Sequence, residues 1–65
     1  MKLFTREALK LGLRTADLAE ACEVTTQTIY LWKSGQSIPH AEHIKKLAEV
    51  LKMDPDKMID DFHGS

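Results

Sequence analysis

Residues 25–28, Thr-Thr-Gln-Thr, set three short hydroxyls and one primary amide side by side, and Tyr30, Ser34, Gln36 and Ser37 follow close behind. These groups are neutral and combine donors with acceptors, which suits recognition of a polar surface by hydrogen bonding better than bond breaking. No nucleophile, base and orienting group can be read together around them, and 65 residues leave little room for a substrate pocket. The chain is therefore not expected to be an enzyme. His40, Glu42 and His43, with His63 downstream, hint at zinc, but the Cys/His spacing of a four-ligand site is missing, so no metal or other cofactor is expected. Cys22 has no second cysteine to pair with, and its helical spacing from Leu18 reads as a small buried hydrophobe.

Positioning such groups requires short helices. Gly12, Gly35, Pro39 and Pro55 punctuate the chain into helix-length intervals, and none shows the alternation of a strand. Five helices are expected, at about 5–11, 16–22, 26–34, 41–51 and 55–61, making one all-α domain over residues 1–65. The first starts with Thr5 as N-cap, where Phe4 and Leu9 have the spacing of a hydrophobic staple, and Gly12 stops it with Leu13 folding back. The same signal recurs as Val24, Thr25 and Ile29 for the third helix. It recurs again as Met53, Asp54 and Met58 for the fifth, where Pro55 takes the favoured first helical position. Ile44, Leu47, Ala48 and Leu51 give the fourth helix a buried face, although His40 is a weak cap.

Between Thr15 and Ser34 the apolar residues Leu18, Ala19, Cys22, Val24, Ile29 and Trp32 fall where two short helices crossing through a tight turn would meet. Ala19 is small enough for the closest approach, and Val24 pins the turn. The polar remainder then lines the outer face of residues 26–34, a face that fits the major groove of duplex DNA. Trp32 could instead be a stacking platform for single strands, but its three-residue spacing from Ile29 favours the core.

The run LAEACEVTTQTIYLWKSGQSIPHAEHIKKLAEVL resembles the XRE-type helix-turn-helix family of phage Cro proteins and repressors, with Leu18-Ala19, Val24-Thr25, Ile29, Trp32, Gly35, Pro39 and Leu47-Ala48 in register. The resemblance spans about residues 4–59 and implies a compact five-helix lambda-repressor-like fold. It also implies that residues 26–34 lie in the major groove, with Thr26 and Gln27 reaching base edges and Tyr30 and Leu31 behind them. An amide can donate to N7 and accept from N6-H of adenine at once, which singles out Gln27. Phosphate contacts would come from Arg14, Thr15, Thr25, Thr28, Lys33, Gln36, Ser37 and His40.

Three features depart from the family pattern. Glu23 stands where relatives carry glycine in the turn, so either the turn is strained or it takes another conformation. Ala8 and Lys33 replace an Arg–Glu pair, which removes both charges together and frees Lys33 for phosphate. Arg14-Thr15 opens the second helix without the usual cap. If the cap has moved to Thr15, Arg14 is the better phosphate ligand.

Net charge is −1, with residues 1–35 holding five Lys/Arg against four Asp/Glu and residues 36–65 four against six. So few cations count against a nucleic-acid binder, although a footprint of hydroxyls and amides fits a near-neutral protein. Neither a charged leader nor a membrane-length apolar run is present, so a soluble cytoplasmic protein is expected. Met58, Ile59 and Phe62 form an apolar edge that either closes the core or joins two copies into a homodimer on a palindromic operator. Two functions compete. One is a Cro-like repressor acting on double-stranded DNA by operator occupancy. The other is a protein-interaction module, of antitoxin or antirepressor type, that keeps the fold with weak or no DNA binding.

Overall fold

In the computed structural model, which describes residues 2–63, five α-helices follow one another: α1 Leu3–Lys10, α2 Thr15–Cys22, α3 Thr26–Ser34, α4 Ala41–Leu51 and α5 Pro55–His63. All five bury side chains in one cluster. Ile44, Leu47, Ala48 and Leu51 of α4 form its middle, since α4 packs on α1, α2 and α5. Leu18, Ala19 and Cys22 meet Ile29 and Trp32 where α2 crosses α3, and Leu13, Val24, Val50 and Met53 pack around the margin. This is the all-α helix-turn-helix architecture that the family resemblance implied.

Four of the helices stop by one device. The first residue beyond each helix or its cap turns left-handed, at Gly12, Glu23, Gly35 and Lys52, and the next amide reaches back to a carbonyl five residues earlier. Leu13 N–H donates to Ala8 O at 2.9 Å, Val24 N–H to Ala19 O at 2.9 Å, Gln36 N–H to Leu31 O at 3.0 Å and Met53 N–H to Ala48 O at 2.9 Å. Each turn also returns the chain to the core: Leu13, Val24 and Met53 are the apolar residues that follow the turn and close over the helix end. Glu23, at φ 58° and ψ 42°, is left-handed, a conformation that glycine takes without penalty, so the turn keeps that shape at the expense of backbone strain.

The start of α1 differs from the sequence expectation. The helix begins at Leu3, and Thr5 lies inside it with its Oγ1 buried and without a hydrogen-bond partner among the described residues. The cap comes from 58 residues away: the Asp61 carboxylate accepts the Leu3 N–H at 2.8 Å, and Lys2 Nζ donates to the Asp61 carbonyl at 3.2 Å. The Phe4–Leu9 staple is absent for the same reason. Phe4 is already helical and buried, stacked on Phe62 with ring centroids 5.4 Å apart, while Leu9 is 65% exposed. α5 runs to His63, two residues past its expected end.

Candidate nucleic-acid interface

The motif from Thr15 to Ser34 is built from its buried side outward. Ile29 and Trp32 are buried, and with Ala19 buried at the crossing they fix which way α3 faces. Thr26, Gln27, Tyr30 and Ser34 are consequently exposed and Leu31 is half-buried at their edge. Thr25 caps the helix, its Oγ1 accepting the Thr28 N–H at 3.2 Å with the two hydroxyls 3.1 Å apart. Gln27 is exposed and makes no side-chain hydrogen bond among the described residues, so its amide is unengaged.

At the entrance to α2, Arg14 occupies the capping position and its backbone N–H donates to the Asp17 carboxylate at 2.8 Å. The cap has therefore not moved to Thr15. The Thr15 hydroxyl instead accepts Lys33 Nζ at 2.7 Å, from the far end of α3, and the same ammonium lies 5.4 Å from the centroid of the Tyr30 ring. Lys33 is thus not the free cation expected from the loss of the family's Arg–Glu pair. Its bond joins α3 to α2 and does not reach Ala8 on α1.

Beyond α3 the chain folds over the Leu31 carbonyl, which accepts from Ser34 Oγ at 3.1 Å, Gln36 N–H at 3.0 Å and Ser37 N–H at 3.3 Å. That arrangement sets Gln36 and Ser37 beside the C-terminal end of α3. His40 is exposed at the start of α4 with no side-chain capping bond. Its ring stands 6.1 Å from that of His43, which in turn packs on Trp32 at 5.3 Å.

The apolar edge on α5 divides. Met58 and Phe62 are buried in the protein's own core, Phe62 stacked on Phe4, and neither offers area to a second copy. Ile59 alone of the three is exposed, at 37%. Sequence reasoning also missed Asp61, counted only as one of the six acids of residues 36–65. Its role as the cap of α1 has no local signal, since the two ends meet only in the folded chain.

Burial pushes the Cys22 thiol above its ordinary pKa of 9.0, with Lys46 pulling weakly the other way, so the group is a protonated core side chain. No helix among the described residues is long and apolar enough to cross a membrane.

A family model described as helix-turn-helix matches residues 5–58, a span that takes in the whole of α2, α3 and α4. Comparison with curated proteins and with solved structures returned no match.

Proposed function

The chain belongs to the helix-turn-helix family and is a DNA-binding transcription regulator of the XRE type, and from that premise we propose that it is a Cro-like repressor that occupies an operator with α3 in the major groove. The observation that carries the proposal is the outward face of α3, with Gln27 unengaged and Ile29 and Trp32 holding the helix from behind. Thr26 and Gln27 read base edges in this account, with Tyr30 and Leu31 beside them.

Arg14, Thr25, Thr28, Gln36, Ser37 and His40 surround that face and are the proposed phosphate contacts, mostly neutral, as a near-neutral chain requires. Thr15 and Lys33 approach the backbone as a bonded pair rather than singly. Residues 1–65 act as one domain, and two copies read the halves of a palindrome, with Ile59 the apolar residue of α5 left for their contact. Repression follows from steric exclusion of polymerase.

Selection of bound duplexes from a random pool tests this reading. A palindromic consensus is expected, and Gln27→Ala should lower affinity for it by about 1–3 kcal/mol while relaxing one base position in each half-site. Equal weakening on every sequence would remove Gln27 from the base-reading set.

The alternative, a protein-interaction module with weak or no DNA binding, draws on one observation: Asp54, Asp56 and Asp60 are exposed together on and before α5. Retention of a single protein partner, with no duplex bound even at low salt, would favour it.

A further inference from the structure

We infer that Thr15, on α2, is a positioning residue for the ring of Tyr30, acting through Lys33, so that discrimination by α3 depends on a side chain outside that helix. The inference rests on the reading of α3 as the groove-facing helix. Tyr30 is 58% exposed, so burial alone does not fix the orientation of its ring. Lys33 supplies the missing constraint, its Nζ standing 5.4 Å from the ring centroid, within the range of a cation–π contact.

A lysine on a surface wanders through four torsions, and a contact of this kind orders a ring only if the ammonium is itself held. Thr15 holds it. The bond from Lys33 Nζ to Thr15 Oγ1 is 2.7 Å, joins residues 18 apart in sequence, and is partly buried. Thr15 is a firm anchor, being β-branched and seated in the first turn of α2, where the Arg14 N–H and the Asp17 carboxylate fix the helix start. No carboxylate pairs with Lys33: among the described residues the ion pairs are Lys10–Glu7 and Lys46–Glu23. Its acceptors are the neutral hydroxyl and the ring, which leaves the positive charge intact beside Tyr30. The hydroxyl proton of Thr15, with one lone pair occupied, has no acceptor among the described residues. The line of contact runs from α2 through Lys33 to Tyr30, so the presentation of the phenol to a base edge is set by the α2–α3 crossing.

The test uses the full chain with Thr15→Val, which keeps the shape and removes the acceptor, and Thr15→Ser, which restores it. In the free protein, NOEs between the Lys33 ε-methylene and the Tyr30 ring should be present, lost in Thr15→Val and regained in Thr15→Ser, with unchanged circular dichroism showing that all three are folded. On DNA, three duplexes are compared: the selected site, the same site altered at the pair where Tyr30→Phe loses discrimination, and a random sequence. Thr15→Val should narrow the preference for the selected over the altered site by about threefold to tenfold, within the range of coupling between residues in one network. Because Thr15 also approaches the backbone with Lys33, binding to the random duplex should weaken too, but by a smaller factor than binding to the selected site, and in a Tyr30→Ala background Thr15→Val should change the preference no further.

Equal weakening on all three duplexes would make Thr15 a plain phosphate ligand and overturn the inference, as would NOEs that survive Thr15→Val. A wild-type chain that binds all three duplexes alike, with the NOEs intact, would instead sink the groove reading and the inference with it.

Discussion

Glu23 holds a left-handed backbone at the turn that orients α3, and replacing it with glycine should stabilise the protein. Its φ of 58° and ψ of 42° lie in the left-handed region, where a side chain costs about 1–2 kcal/mol that glycine avoids. Glycine gives back about 0.4–1 kcal/mol of that through the greater freedom of the unfolded chain. The Glu23 carboxylate also meets Lys46 Nζ at 3.1 Å, but the two side chains are 80% and 43% exposed. Such a pair contributes at most a few tenths of a kcal/mol. Glu23→Ala is therefore the proper reference, since it loses the ion pair and keeps the Cβ. Glu23→Gly should exceed Glu23→Ala by about 0.5–1 kcal/mol, which for a domain of this size raises Tm by about 4–7 °C. Thermal unfolding followed by circular dichroism, at fixed concentration, reads the difference directly. A Glu23→Gly variant no more stable than Glu23→Ala would mean that the turn stores no strain, and the same comparison at Lys52, φ 55°, should give the same sign.

Other substitutions probe the remaining joints. Thr5→Val keeps the side-chain shape and removes a buried hydroxyl that has no partner, so chemical denaturation should show a gain of about 1 kcal/mol, and a loss would mean that the hydroxyl is satisfied in solution. Asp61→Ala strips the cap from α1 and should cost about 1–2 kcal/mol, with hydrogen exchange accelerated at the first amides of that helix; protection unchanged there would contradict the long-range cap. Because burial raises the Cys22 thiol, the unfolded chain ionises first, so the stability difference between wild type and Cys22→Ala should be constant below pH 9.0 and shrink as pH rises above it. A difference that stays flat through that range would place the thiol in water.

The helices whose boundaries were legible are those held by neighbours in sequence. Thr25 caps α3 through Thr28, three residues away, and the Ile29–Trp32 spacing alone tells which side of the helix is buried. Asp54 likewise starts α5 locally, accepting the Asp56 N–H at 2.9 Å. The start of α1 escaped the same logic because its cap arrives from Asp61, and a chain that offers a plausible local cap in Thr5 conceals the distant one. Phe62 shows the limit for the apolar edge of α5: periodicity marks it as apolar, but whether it closes a core or a dimer depends on Phe4 being there to receive it. Lys33 is the corresponding case in the interface. Its place on the outer flank of α3 follows from the helix period, whereas its bond to Thr15 exists only once α2 has crossed, so a cation expected to be free turned out to be engaged.

The central claim is that α3 presents its polar side to a groove of duplex DNA. Titrating the isotope-labelled protein with the selected duplex and following backbone and side-chain amide resonances tests it most directly. The account predicts the largest perturbations at Thr26, Gln27, Tyr30 and Leu31, with the Gln27 side-chain amide among them and α5 little changed. Perturbations concentrated on α4 and α5, with the Gln27 amide unmoved at saturation, would contradict it.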